Sequence, residues 1–325
     1  MKAAQLSSFG PASDTLRVVE QEVPKPAAGE VLIRILASPI NPADLNVIEG
    51  TYGELPELPA VIGNEAVGRV EELGPDATRF AVGDLVVPLT SGNWAQYRVL
   101  REDDLVKIPA ETDVVQASML LVNPVTAWFM LKDCVDLHPG DWVVQNAANS
   151  AVGRSVIQIA RARGLKTLNV VRRPELIDEL KALGADAVVT EETDLRASVE
   201  DLCDGSRPRL ALNAVGGASA LNLANALADR GTHVTYGAMG RQPLKIPNGL
   251  LIFREINFRG FWLRNWRYDA TLAQKEETLG VLATMIVGGK LTLPVHKTYS
   301  LDDIQAALAE AAEGQRSGKV VIDLR

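Results

Sequence analysis

Cysteine and histidine are scarce in this 325-residue sequence, which contains two cysteines and three histidines. Cys134 and Cys203 lie far apart, and His138, His233 and His296 are scattered without the spacing of metal ligands. Two cysteines exclude a disulfide scaffold and a four-cysteine zinc site. We therefore expect the cysteines to be small apolar residues without a reactive thiolate, and the histidines to be structural or exposed to solvent.

A net positive charge and long apolar runs are also missing. Lysine plus arginine number 33 against 41 aspartates plus glutamates, a formal charge of -8 that disfavours a nucleic-acid-binding face. The first twenty residues have no apolar core of signal-peptide length and carry Asp14 and Glu20. The most apolar stretch, 117–131, is interrupted by Asn123-Pro124 and is too short to span a bilayer. These features predict no nucleic-acid partner, no membrane association, no targeting peptide and a reduced, cytoplasmic location.

The chain divides into a β-rich part and a part in which strands and helices alternate. The first hundred or so residues contain short strands separated by turns, with no helix-length amphipathic segment before about residue 113. The strands predicted after residue 120 are Asp141–Ala147, Lys166–Arg172, Ala187–Thr190, Arg209–Val215, Thr232–Tyr236 and Phe258–Leu263. Helical segments between them predict an α/β fold with a parallel, doubly wound Rossmann sheet.

The end of the sequence reads as a return to the β-rich part. A long helix over 271–287 is followed by a turn, a strand, a helix over 301–313 and a last strand over 319–324. We therefore expect a β-rich domain made of 1–118 and 290–325, with a Rossmann domain, 119–289, inserted into it.

The turn after the first Rossmann strand is the expected phosphate loop of a dinucleotide site. Residues 145–153 read Q-N-A-A-N-S-A-V-G, so that only the third glycine of G-x-G-x-x-G, Gly153, is present. Small residues still permit a tight turn, and Asn149 and Ser150 supply donors or caps at the start of the next helix. A turn of small residues without a ligand is the alternative interpretation.

The end of the second Rossmann strand favours NADPH over NADH. About 20 residues after the loop, an NAD site has an acid that accepts from the ribose 2′-hydroxyl, whereas this chain has Arg172-Arg173. Two guanidiniums can hold a 2′-phosphate. The alternative is a solvated pair at a helix start, where the helix dipole makes cations mildly unfavourable.

Over nearly its whole length the sequence resembles the medium-chain dehydrogenases/reductases, which join a GroES-like β domain to an inserted Rossmann domain. Zinc-dependent members carry G-H-E-x-x-G with a zinc-ligating histidine, whereas this chain reads G-N-E-A-V-G from Gly63, with Asn64 in that place. No cysteine precedes Cys134. The resemblance therefore implies a zinc-independent member with no bound metal.

Several runs in a fixed order narrow the resemblance to the mitochondrial-type trans-2-enoyl-thioester reductases. They are I-N-P-A-D-L-N at 40–46, G-T-Y-G at 50–53, G-N-E at 63–65, V-N-P-V-T-A at 122–127, N-A-A-N-S-A-V-G at 146–153 and F-W-L at 261–263. Quinone oxidoreductases share the fold but usually lack the G-T-Y-G run. The implied activity is the NADPH-dependent reduction of enoyl-CoA or enoyl-acyl-carrier-protein thioesters to saturated thioesters, as in fatty acid metabolism.

The resemblance also implies site residues. Tyr52 matches the catalytic tyrosine, which supplies a proton while hydride is delivered to the β-carbon. The implied cofactor contacts are Asn123, Asn149, Ser150, Ala151, Val152, Arg172, Arg173, Tyr236, Gly237, Ala238, Met239, Phe261, Trp262, Leu263 and Lys319. Tyr52 lies between the turn glycines Gly50 and Gly53, and a loop aromatic that only packs on its domain is the alternative.

Aromatic residues make up only 5% of the sequence, yet five of them cluster within 258–268, interleaved with arginines. They could line an acyl channel, with Trp266 as a substrate contact and the arginines facing phosphates. An edge strand at the core or at a dimer interface is the alternative. The role of Glu65 stays open between holding the Tyr52 loop and being a satisfied buried acid.

The sequence therefore predicts a cytoplasmic, NADPH-dependent enoyl-thioester reductase, and the family resemblance implies a homodimer. A quinone or general alkene reductase on the same fold is the second hypothesis. A non-catalytic NADPH-binding sensor or structural protein is the third.

Overall fold

The computed structural model describes residues 1–314 and 316–325 of the chain. The strands, in chain order, are β1 (Lys2–Leu6), β2 (Leu16–Glu20), β3 (Glu30–Pro39), β4 (Ala60–Val61), β5 (Val67–Leu73), β6 (Leu85–Pro88), β7 (Tyr97–Arg101), β8 (Leu105–Lys107), β9 (Trp142–Gln145), β10 (Lys166–Val171), β11 (Ala187–Thr190), β12 (Leu210–Asn213), β13 (Thr232–Thr235), β14 (Asn257–Gly260), β15 (Val295–Ser300) and β16 (Lys319–Asp323).

The α-helices, in chain order, are α1 (Ala12–Thr15), α2 (Pro42–Glu49), α3 (Val114–Ser118), α4 (Asn123–Asp133), α5 (Ala151–Ala162), α6 (Ile177–Leu183), α7 (Leu195–Leu202), α8 (Gly217–Ala226), α9 (Asn248–Ile252), α10 (Leu263–Asp269), α11 (Leu272–Val287) and α12 (Ile304–Ala312). Single 3-10 turns span Glu102–Asp104, Pro174–Leu176 and Leu301–Asp303. No helix of the described residues is both long and apolar enough to cross a membrane.

The chain forms two compact units, Met1–Val125 with Asp269–Arg325, and Thr126–Tyr268. The first unit has a three-stranded sheet, β2-β1-β4, and a seven-stranded sheet, β15-β16-β3-β5-β6-β8, in which β7 also pairs with β3. The C-terminal strand β16 pairs antiparallel with β3, with Val321 opposite Pro39. The returning tail thus completes the seven-stranded sheet. Side chains from β1, β3, β5, β16 and α12 form the apolar core of the first unit.

The second unit is a six-stranded parallel sheet in the order β11-β10-β9-β12-β13-β14. Counted within the unit, this is the 3-2-1-4-5-6 order of a doubly wound Rossmann fold, which confirms the predicted fold class. Helices α5 to α8 supply the crossovers, and the apolar strands β9, β10 and β12 are buried on both faces.

Two expectations about local structure are wrong. The β-rich part contains a two-turn helix, α2, before residue 113, because Pro42 opens it and the Asp44 carboxylate accepts from the backbone N–H of Asn41 at 2.7 Å. A helix of two turns is too short to show hydrophobic periodicity, so only the residues that start and end it indicate it in the sequence. The strand expected over 258–263 ends at Gly260, and α10 begins at Leu263.

The two units divide the chain at other residues than the expected domain boundaries, 1–118 with 290–325 and 119–289. Helix α11 contacts β8 and α3, and it therefore belongs to the first unit. Its amphipathic pattern resembles that of a Rossmann helix, and sequence periodicity alone does not say which sheet such a helix covers.

Candidate active site

Tyr52 lies in a turn that α2 and its cap hold in place. Gly50 ends α2 with φ 75°, the left-handed conformation that favours glycine, and a methyl group there would lie 2.9 Å from Cβ of Phe9. The backbone N–H of Thr51 donates to the carbonyl of Asn46 at 2.8 Å. Tyr52 follows with a partly exposed side chain, so its loop has a fixed backbone and an accessible phenol.

A buried polar cluster lies at the start of the same helix. Glu65 is fully buried; one carboxylate oxygen accepts from Nδ2 of Asn41 at 2.8 Å and of Asn123 at 3.4 Å, and the other accepts from the backbone N–H of Val122 at 2.7 Å. Lys319 donates to Oδ1 of Asn41, which also accepts from Nδ2 of Asn123 at 3.1 Å. The structure thus brings Asn123 and Lys319, two predicted cofactor residues, onto one asparagine.

Asp44 joins this cluster to the motif that carries a zinc ligand in the metal-dependent relatives. Its Oδ1 accepts from both the backbone N–H and Nδ2 of Asn64, at 2.9 and 2.8 Å. Burial raises the pKa of Asp44 to about 6, against the opposing effect of hydrogen bonds from Asn41 and Asn64. Burial lowers the pKa of Lys319 to about 8, and the charges of Glu65 and Asp44 oppose that change.

In the second unit, the turn after β9 has the geometry of a phosphate loop. Ser150 caps α5, its hydroxyl accepting from the backbone N–H of Gly153 at 3.1 Å. A methyl group on Gly153 would lie 2.5 Å from the carbonyl oxygen of Ala148, so the helix and the loop are in close backbone contact. Ala147 has φ 46°, and the turn therefore closes without the first two glycines of the usual motif.

Arg154 is a functional candidate that the sequence analysis missed. It is 4% exposed, donates from Nε to the carbonyl of Asn149 at 3.0 Å, and pairs with Glu179 of α6 at 2.7 Å. Its hydrogen bond to Asn149 therefore fixes the backbone of the phosphate loop, and its guanidinium adds positive charge near the N-terminus of α5. An arginine within an amphipathic helix resembles any solvated cation, so the sequence carried no signal for it.

Two buried asparagines at the ends of β9 and β12 were missed as well. Asn146 donates to Oδ1 of Asn213 at 2.8 Å and accepts from the backbone N–H of Ala214 at 2.8 Å. Oδ1 of Asn213 also accepts from the backbone N–H groups of Val215 and Gly216, at 3.1 and 3.0 Å. This pair orders the loops that follow both strands. An asparagine directly after an apolar strand, seen twice, was the available signal.

The remaining predicted cofactor residues of the second unit all follow carboxyl ends of its strands. Residues 149–152 follow β9, Arg172 and Arg173 follow β10, residues 236–239 follow β13, and residues 261–263 follow β14. Because the sheet is parallel, these segments line one of its edges, where doubly wound folds bind dinucleotides. The hydroxyl of Tyr236 is buried, and this burial raises its pKa.

The two arginines after β10 differ in environment. Arg172 is exposed, and Arg173 is partly buried with Nε 3.8 Å from a carboxylate oxygen of Glu175. On the strand-order rule, this position faces the adenosine ribose of a dinucleotide. Two cationic donors at the end of β10, where an NAD site has an acid, fit a 2′-phosphate.

The aromatic segment 258–268 begins in β14 and continues into α10, and several of its rings have defined contacts. The Trp266 ring lies 5.1 Å from that of Phe129, between centroids, and its indole nitrogen is buried. Arg264 stacks on Trp262 at 5.4 Å and on Tyr268 at 4.4 Å. Trp266 is thus anchored by packing, and the expected substrate contact remains a prediction.

The cysteines and histidines have structural environments. Burial raises the pKa of Cys203 to about 12 and also raises that of Cys134, which disfavours a thiolate at either. His233 is buried with its pKa lowered to about 4 by desolvation, whereas His138 and His296 pair with Asp136 and Glu310 near the surface. Within 1–314 and 316–325, no group of three or more His, Cys, Asp or Glu side chains could hold a metal ion.

Comparison with known proteins follows the same division of the chain. Residues 27–110 match the alcohol dehydrogenase GroES-like domain, and residues 151–277 match the family described as zinc-binding dehydrogenase. The chain is 44% identical over 326 residues to the human mitochondrial enoyl-[acyl-carrier-protein] reductase, covering 97% of this chain and 87% of the human protein. It is 48% identical over 295 residues to a Caenorhabditis elegans protein of the same name, covering 88% and 84% of the two chains.

Solved structures agree with these relatives. The fold matches an enoyl thioester reductase from Candida tropicalis with a TM-score of 0.89, 30% identity and 99% of both chains covered. A complex of Etr1p with NADP and crotonyl-CoA matches at TM-score 0.89 and 30% identity over 99% of both chains. A quinone oxidoreductase of Pseudomonas syringae matches at TM-score 0.88 and 28% identity, also over 99% of both chains.

One expectation is overturned by these relatives. The human, Xenopus tropicalis and Rattus norvegicus relatives are named as mitochondrial enzymes, so the expected cytoplasmic location is wrong. Composition carries information on the redox state of the compartment but does not identify the compartment.

Proposed function

The chain belongs to the family of the enoyl-[acyl-carrier-protein] reductases, and we propose that it reduces trans-2-enoyl thioesters with NADPH, using Tyr52 as the proton donor. One feature of each unit supports the proposal. The four cofactor segments of the second unit follow carboxyl ends of one parallel sheet, and Tyr52 stands on a capped, accessible turn of the GroES-like unit.

The reaction adds a hydride to the β-carbon and a proton to the α-carbon of the enoyl thioester. NADPH supplies the hydride when bound. A phenol can donate a proton to the α-carbon without a metal, and this is the role proposed for Tyr52. The fixed backbone at Gly50 and Thr51 supports this role, because a proton donor needs a defined direction.

The proposed cofactor residues are those expected from the sequence, with Arg154, Asn146 and Asn213 added as supports of the loops. Asn149 to Val152 would hold the pyrophosphate at the N-terminus of α5. Arg172 and Arg173 would hold the 2′-phosphate. Residues 236–239 and 261–263 would line the nicotinamide half of the same edge, and Asn123 and Lys319 are the remaining proposed cofactor residues.

The proposed substrate is an acyl thioester of coenzyme A or of an acyl-carrier protein. An apolar acyl chain fits the aromatic segment, in which Trp266 is packed in place, and the neighbouring arginines suit a phosphorylated carrier. The expected boundaries, 1–118 with 290–325 and 119–289, stay the proposal for the GroES-like and Rossmann domains, except that α11 is grouped with the first unit.

A homodimer through the β14 edge is the proposed assembly. Strand β14 ends the six-stranded sheet and has no neighbour on its outer side within the described chain. The adjacent α9 leaves Ile252 and Phe253 65% and 83% exposed, so edge and apolar residues together suit a second copy. Light scattering should give a dimer for the native protein and a monomer for Phe253→Glu; a native monomer would contradict the assembly.

The experiment that tests the function compares two acceptors. NADPH oxidation is followed at 340 nm with crotonyl-CoA and, separately, with a simple quinone. Turnover of crotonyl-CoA with NADPH preferred over NADH is the expected result. Turnover of the quinone alone would favour the second hypothesis, a quinone reductase, in keeping with the Pseudomonas structure. NADPH binding without turnover of either would favour a sensor.

A further inference from the structure

The hydrogen bonds of the buried cluster indicate the role of Glu65. The carboxylate is fully buried, on the segment between β4 and β5, and none of its described contacts is to solvent-exposed polar groups. Burying a carboxylate is unfavourable unless donors surround it.

The donors to Glu65 come from two segments with different proposed tasks. Asn41 directly precedes α2, the helix that ends in the Tyr52 turn. Val122 and Asn123 open α4, and Asn123 is the proposed nicotinamide contact. One side chain therefore ties the segment of the proposed proton donor to the segment of a proposed nicotinamide contact.

The connection from Glu65 to Tyr52 is short and stiff. The Asn41 backbone N–H donates to Asp44 at 2.7 Å, so the first turn of α2 is fixed to the residue that Glu65 holds. At its other end, α2 is closed by Gly50 and by the hydrogen bond from Thr51 to Asn46. Lys319 donates to Oδ1 of Asn41 from β16 and places an ammonium beside the two buried carboxylates.

We infer that Glu65 is a positioning residue that sets the direction of the Tyr52 proton donor relative to the nicotinamide-binding segment. The inference rests on the proposed function. Glu65 does not exchange a proton with the substrate; it accepts three hydrogen bonds and keeps two loops in one arrangement. A shift of the donor of about 1 Å is enough to lower a rate about 100-fold.

The test replaces Glu65 by glutamine, which keeps the shape but presents an amide N–H to one of the donors. In Glu65→Gln, kcat for crotonyl-CoA should fall about 10- to 100-fold. The Kd of NADPH, measured by fluorescence titration, should stay within about threefold of the native value, since the phosphate sites lie in the other unit. Glu72→Gln, the same change at an exposed position of β5, should leave both values unchanged.

The readout that separates positioning from mere support is the stereochemistry at the α-carbon. In D₂O the native enzyme should place deuterium on one face, because Tyr52 delivers it from a fixed direction. Glu65→Gln should give a mixture of both faces, and Tyr52→Phe should do the same, because water then competes as the proton source. Glu65→Asp keeps the negative charge and serves as a second variant in case Glu65→Gln does not fold. It should give a smaller share of the second isomer than Glu65→Gln.

Each outcome decides the matter. Reduced kcat with mixed stereochemistry and intact NADPH binding supports positioning. An unchanged kcat in Glu65→Gln, or a reduced kcat with a single α-stereoisomer retained in both variants, would overturn it. A native protein that binds NADPH but does not reduce crotonyl-CoA would instead overturn the proposed function, and this inference with it.

Discussion

Adding one methyl group to Gly153 tests whether the turn after β9 is the cofactor loop. A Cβ there would lie 2.5 Å from the carbonyl oxygen of Ala148 and 2.7 Å from its Cα, and both are backbone atoms that cannot rotate away. Ordinary contact begins near 3.4 Å, so the loop must move by about 0.9 Å. Overpacking of this kind costs about 1–3 kcal/mol.

The moved atoms are those proposed to hold the pyrophosphate. Gly153 donates to Ser150 and its carbonyl accepts from Gln145 at 2.9 Å, so the displacement reaches the cap of α5. If about 1.4–3 kcal/mol of the strain falls on the cofactor complex, Gly153→Ala should raise the Kd of NADPH about 10- to 100-fold. Fluorescence titration measures the Kd, and urea unfolding measures the stability.

Gly280→Ala is the matched control. Gly280 lies within α11 with no atom within 4 Å of its added methyl group, so the change should stabilise by up to about 1 kcal/mol and leave NADPH binding unaltered. Unchanged NADPH affinity in Gly153→Ala, with the protein folded, would refute the assignment of the loop.

Two further predictions concern charge. Replacing Arg172 and Arg173 by alanine should weaken NADPH binding about 10- to 100-fold, because about 1.5–3 kcal/mol of charge-assisted hydrogen bonding is lost. The affinity for NADH should be unaltered. Equal losses of affinity for both cofactors in titrations would contradict the 2′-phosphate site. Burial raises the pKa of Asp44 in the folded state to about 6, so its contribution to stability is present at low pH and is lost as the pH rises through about 6. From pH 4.5 to 7.5, the unfolding free energy of the native protein should therefore fall by about 2 kcal/mol relative to Asp44→Asn, and a constant difference in urea titrations would contradict the buried carboxylate.

The strands of the second unit could be predicted because parallel strands that are buried on both faces appear in a sequence as short apolar runs. β9, β10 and β12 lie within their predicted ranges, and β11 matches its range in full. The N-cap Thr271 and its capping box marked the start of α11 equally well. The short helix α2 escaped notice because two turns give no periodicity, and only Pro42 and Asp44 define it.

The site was predictable where chemistry sits in a motif and unpredictable where it arises from tertiary packing. The absence of an acid at Arg172 and the Gly50–Gly53 turn could be seen along the chain. The meeting of Glu65, Asn41 and Lys319 could not, because these residues are brought together by the pairing of β16 with β3. The same holds for Asn146 and Asn213, which meet only in the folded parallel sheet.

The most direct test of the proposed chemistry removes one oxygen atom. Tyr52→Phe should lower kcat for crotonyl-CoA by about 10²- to 10⁴-fold while the Kd of NADPH stays near the native value, since proton transfer is typically worth that factor. Tyr97→Phe, the same change at a partly exposed position of β7, should retain native activity. Native turnover in Tyr52→Phe would contradict the assignment of Tyr52 as the proton donor.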